Sequence, residues 1–117
     1  MRPVYMPANT SAGDSAPVVL DQYISPTDTL LVVELFGNTS SSPSYTVKYS
    51  PDDPYATYAT SYAANANWYS VTGLTTLATD TSATLVFPAR AVKLTTVNPG
   101  TGGTQTPQLA VIQAGVR

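Results

Sequence analysis

Chemistry in this chain would have to come from a narrow set of side chains. The acids are Asp14, Asp21, Asp28, Glu34, Asp52, Asp53 and Asp80, and only Asp52 and Asp53 are adjacent. Paired carboxylates suit a hard cation, which takes several oxygen ligands. Here, however, the pair sits in Pro51-Asp52-Asp53-Pro54 with no alternating Asp spacing around it, and that composition is first of all a tight turn. Glycoside hydrolysis needs two carboxylates roughly 5–10 Å apart across a cleft, and no spacing selects such a pair, Glu34 and Asp53 included. The chain has no His and no Cys. That removes the commonest general base, the commonest metal ligand, thiol nucleophiles and disulfides. A nucleophilic Ser would need Lys48 or Lys93 as its base, and neither follows a Ser at the Ser-x-x-Lys spacing. Gly100-Thr101-Gly102-Gly103 has the glycines of a phosphate loop but not its Gly-Lys-Ser/Thr ending. These features point away from an enzyme and from any cofactor or metal.

What remains is surface. Eight Tyr and one Trp stand among 117 residues, and Tyr55, Tyr58, Tyr62, Trp68 and Tyr69 crowd one segment. Tyr and Trp give large contact area at low entropic cost and are enriched where proteins meet. They also serve as core or cross-strand partners, the other reading of Tyr45, Tyr49, Tyr69 and Trp68, with Trp68 the largest single candidate for burial, or as a sugar-stacking platform. Arg90 and Lys93 read as a solvated face or as protection of a strand edge. The residues expected to touch a partner are Tyr5, Tyr55, Tyr58, Tyr62, Trp68 and Arg90.

The elements that would position them are strands. Ser44-Tyr45-Thr46-Val47-Lys48-Tyr49-Ser50 alternates, with Tyr45, Val47 and Tyr49 on one face and Thr46 and Lys48 on the other, as in a half-buried strand. Thr29-Leu30-Leu31-Val32-Val33-Glu34-Leu35-Phe36 is a continuous apolar run, the pattern of a strand covered on both faces. Residues 16–25, 67–71, 82–87, 89–97 and 107–114 read as further strands. A short helix fits only over 58–64, and 73–80 reads as a polar connection. Asn98-Pro99-Gly100-Thr101-Gly102-Gly103 reads as a hairpin tip. Ten prolines fall mostly between these segments. The whole predicts an all-β chain of about seven or eight short antiparallel strands, a single β-sandwich or jelly-roll-like domain over 16–117, preceded by an extended N-terminal arm over 1–15.

Composition bounds the partners. Apolar residues make up 43% but charged residues only 10%, against about 25% in a typical soluble domain. Eighteen Thr and eleven Ser take their place. A surface of hydroxyls repels its neighbours weakly, which suits assembly. A net charge of −2 draws the chain to neither nucleic acid nor an anionic membrane. No apolar run approaches the ~20 residues of a bilayer span, and the first residues lack the apolar core of a secretory signal, so the chain reads as a leaderless product of cytoplasmic synthesis.

A Thr/Ser/Ala-rich, Cys-free all-β chain of this length resembles the small virion structural proteins of tailed bacteriophages. The resemblance rests on Val47-Lys48-Tyr49-Ser50-Pro51-Asp52-Asp53-Pro54, Asn67-Trp68-Tyr69, Phe87-Pro88-Ala89-Arg90-Ala91-Val92-Lys93-Leu94 and Leu109-Ala110-Val111-Ile112-Gln113-Ala114-Gly115, in that order. It implies a capsid decoration (cement) protein on the outside of the virion. The implied partners are the major capsid protein or other virion subunits, with self-association into a small homo-oligomer and no small-molecule substrate. A tail or head–tail joining component, and a carbohydrate-binding β-sandwich module, are the alternatives.

Overall fold

The computed structural model describes residues 4–7, 13–20, 29–35, 43–53, 65–85, 89–98, 100–101 and 107–113, with backbone alone at 4–7. Within them run nine strands: β1 (Val4–Pro7), β2 (Gly13–Asp14), β3 (Val18–Val19), β4 (Thr29–Leu35), β5 (Ser44–Ser50), β6 (Tyr69–Ser70), β7 (Thr81–Thr84), β8 (Ala91–Asn98) and β9 (Pro107–Gln113). They form two antiparallel sheets, one in the order β1-β9-β4-β7 and the other β2-β8-β5-β6, with β3 also on β8. The chain is an all-β sandwich. Among the described residues no helix is long and apolar enough to cross a membrane. The 58–64 helix expectation lies outside them.

The core forms because each sheet turns one apolar set inward. Leu31 and Val33 of β4 sit opposite Val111 and Leu109 of β9. From the other sheet, Tyr45 and Val47 of β5 and Val92 and Leu94 of β8 meet them, and all eight are buried. The alternation read in 44–50 is therefore the real one, and its strand bounds coincide with β5. Val92 and Leu94 share the inner face while Lys93 points to the outer one, as a period of two requires.

Several expectations are corrected. Residues 73–80 are more than a polar connection: Leu74 is fully buried and Leu77 nearly so. Val47 N donates to Leu74 O, and Tyr45 and Leu77 exchange two backbone bonds, so this segment fills the flank of β5 beyond the two-residue β6. A turn bonded from Leu74 N to Val71 O makes this packing geometrically available, with Gly73 at φ 88° in its third position. The segment 98–103 is not a hairpin tip. It leaves β8 in one sheet and leads to β9 in the other, with Asn98 Oδ1 accepting from Gly100 N at 2.9 Å to start the turn.

The first residues also belong to the sheets. β1 pairs with β9, Val4 opposite Val111 and Pro7 opposite Gln108. β2 pairs with β8, Asp14 opposite Thr95. Within the predicted 1–15 arm, then, Val4–Pro7 edges one sheet and Gly13–Asp14 the other. Between Asp14 and Val18 the edge carries one residue more than β8 opposite it, since Val18 faces Val92. Pro17 lies in that bulge, and Ser15 holds it down: its Oγ accepts from Leu94 N at 3.0 Å and its N–H donates to Leu94 O at 2.8 Å.

Candidate interaction surfaces

The outer face of the β2-β8-β5-β6 sheet carries the polar chemistry. Lys93, expected on a solvated face, is only 3% exposed. Its Nζ donates to Asp14 Oδ2 at 2.6 Å and lies 4.2 Å from the centre of the Trp68 ring. A carboxylate and an aromatic quadrupole thus replace the water lost around the ammonium. Asp14 Oδ1 accepts from Thr95 Oγ1 at 2.7 Å. Burial by itself would raise the Asp14 pKa. The hydrogen bonds from Lys93 and Thr95, with the charges of Lys93 and Lys48, outweigh it and hold the carboxyl below its ordinary value.

Trp68 reaches this place through Asp52. Asp52 Oδ2 accepts from Asn67 N at 2.6 Å and Nδ2 at 3.1 Å, and Asp52 N donates to Ser50 Oγ at 3.1 Å. The turn after β5 thus ties residues 65–68 back over the sheet, where Ala66 and Trp68 pack on Ala91. Trp68 was expected to be the largest buried side chain. It is half-buried on an outer face, not in the inter-sheet core, and Lys93 occupies one face of its ring. Asp53 Oδ1 lies 3.7 Å from Arg90 Nη1, both side chains being 46% exposed. Among the described residues no cluster of three or more acidic, His or Cys side chains is gathered for a metal. Tyr69 is 51% exposed and packs against Tyr49 directly across the β5–β6 pair, ring centres 5.7 Å apart.

Of the residues singled out for partner contact, the structure brings Trp68 and Arg90 to the same sheet: the Trp68 ring lies against Lys93, and Arg90 pairs with Asp53. The backbone of Tyr5 is in β1, opposite Ala110. Tyr55, Tyr58 and Tyr62 lie outside the described residues.

A surface that sequence reasoning missed is the outer face of the β1-β9-β4-β7 sheet. By register, Val32 lies between Ala110 and Ser82, and Leu30 between Ile112 and Thr84. These are the residues that alternate with the core positions Leu31 and Val33. Leu30, Val32 and Ile112 are half-buried with no strand packed over them among the described residues. Glu34, opposite Gln108, is the charged residue of β4 and β9 on this face. The signal was present as the unbroken apolar run of 29–36, which implies cover on two faces where the chain's own second sheet supplies one. No protein-family model, curated protein or solved structure matches the chain.

Proposed function

We propose that the chain is a non-enzymatic bacteriophage virion structural protein of the decoration type, which binds an assembled head and stabilises it by bridging capsid subunits. The observation that carries this reading is a sheet apolar on both faces: Leu31 and Val33 go to the core, while Leu30, Val32 and Ile112 face outward in a row flanked by hydroxyls. Contiguous outward apolar residues rimmed by polar ones mark protein contacts. The resemblance of segment order to small phage virion proteins supplies the kind of partner.

Such a protein works by mass action. It buries area in the assembled shell only, and so shifts the balance towards the intact particle. A shell offers a repeating array, so modest individual contacts suffice when each copy is held by more than one.

The test is co-sedimentation of the purified chain with preformed heads. Binding at many icosahedral positions, lost in Val32→Lys with the fold intact by circular dichroism, is the expected result. Protein that stays in the supernatant overturns the reading, and binding confined to one vertex reassigns it to head–tail joining.

A further inference from the structure

Each sheet of a sandwich ends in strands with unpaired backbone groups, and proteins blunt such edges with Pro, charge, bulges or brevity. Of the four edges formed by the described strands, three are blunted. β1 ends in Pro7, which lacks a donor. The β2–β3 edge is bulged around Pro17 and bears the charge of Asp14. β6 is two residues long and runs into the turn at Gly73. The fourth edge, β7, is Thr81-Ser82-Ala83-Thr84, with no Pro, Gly, charge or bulge, and among the described residues only β4 pairs with it.

The polarity of that edge follows from one bond. Leu85 N donates to Thr29 O at 3.1 Å. Bonded pairs alternate along an antiparallel ladder, so Leu31 with Ala83 and Val33 with Thr81 are the pairs bonded to β4. Ser82 and Thr84 therefore turn their N–H and C=O groups to the open side. Both residues are exposed.

We propose that β7 is a strand-addition site whose occupant is β7 of a second copy of this chain. The pattern is self-complementary. An antiparallel two-fold centred on Ala83 sets Ser82 against Thr84 of the other copy and Thr84 against its Ser82. The outward donors and acceptors then meet as two bonded pairs, four hydrogen bonds in all. Ala83 faces Ala83 in the close, unbonded pair, where a small side chain is what fits. The hydroxyls of Ser82 and Thr84 meet on the outer face, and no like charges oppose one another. The two four-stranded sheets become one continuous sheet, with their apolar outer rows on the same side. This contact is independent of the decoration reading, since it is made by the free chain in the absence of any shell.

The test uses the full chain alone, by sedimentation equilibrium over ~1 µM to ~1 mM, the range suited to contacts below about 1,200 Å². The weight-average mass is expected to rise towards twice the 12.3 kDa chain mass. Ser82→Pro removes an outward donor and no bond to β4, so it should keep the circular dichroism spectrum and abolish the rise, while Ser82→Ala retains it. In the unmodified chain, amide exchange at Ser82 and Thr84 should slow several-fold with concentration, with Ala83 protected throughout by β4. A monomer across the range, a Ser82→Pro variant that associates equally well, or Ser82 and Thr84 amides indifferent to concentration would each overturn the proposal.

Discussion

Lys93 and Asp14 are joined at 2.6 Å across the β2–β8 pair, and the two ends of that bond live in different surroundings: the Lys93 side chain is 4% exposed, that of Asp14 44%. Removing one end is therefore unlike removing the other. Asp14→Ala leaves an ammonium buried without its carboxylate. Lys93→Met leaves a carboxylate that water and Thr95 still reach, and keeps apolar bulk over Trp68. Urea denaturation should show Asp14→Ala losing about 1–3 kcal/mol, discounted for the exposure of Asp14 from the cost of breaking a fully buried pair, and Lys93→Met losing less. Equal losses would mean that the buried ammonium left alone costs no more than the exposed carboxylate left alone.

Acid should act through the same carboxyl. Burial raises the Asp14 pKa, but the bonds and charges around it leave the folded value below the unfolded one of about 3.9. The folded state then binds fewer protons than the unfolded state in that interval. The stabilisation is complete above the unfolded pKa and fades as pH falls through it to the folded value. Thermal melts between about pH 2 and 6 should show a shallower acid decline in Asp14→Asn than in the unmodified chain.

The turn beside β5 holds two backbones at positive φ, Gly73 at 88° and Thr76 at 52°. A Cβ built on Gly73 meets nothing within 4 Å, so Gly73→Ala should cost conformational strain alone, about 1 kcal/mol. Thr76 is the reverse case, a β-branched residue where Gly or Asn is at ease. Thr76→Gly should be neutral or stabilising by about 0.5 kcal/mol, since its N–H, which donates to Thr46 Oγ1 at 3.0 Å, is retained. Denaturant midpoints of the two variants should move in opposite directions or differ clearly in size.

Trp68 is the one tryptophan of the chain and reports on its own anchor. Asp52→Ala removes the acceptor of both Asn67 bonds, and Trp68 emission should shift to longer wavelength as the ring leaves Lys93 and Ala91. Arg90→Ala breaks only an exposed pair, and should leave the emission unmoved and the melting point within about 0.5 kcal/mol equivalent.

Where local pattern and burial agree, the fold is legible in the sequence. The alternation of 44–50 yields β5 with its two faces, and the run of 29–36 yields β4, because a period of two is a local property. Lys93 is misread because its cover comes from residues 65–68 and its partner from position 14, neither adjacent to it in sequence. Leu74 and Leu77 are misread because turn residues surround them, although the turn itself folds them against β5. The 98–103 segment has hairpin chemistry, but turn residues do not specify whether the next strand joins the same sheet. Of the aromatic candidates, Trp68 is an internal cover for a lysine, while Leu30, Val32 and Ile112 present the outward apolar row.

β9 stands between β1 and β4, and the register that joins residue 4 to residue 111 runs through it. Without it, β1 has no neighbour in its sheet and β4 keeps only β7. During synthesis this half of the molecule must therefore stay open until 107–113 are made, then close in an event that reaches back to residues 4–7. A ribosome that stalls before 107–113 would release a chain with one incomplete wall and its greasy interior in view of proteases and chaperones.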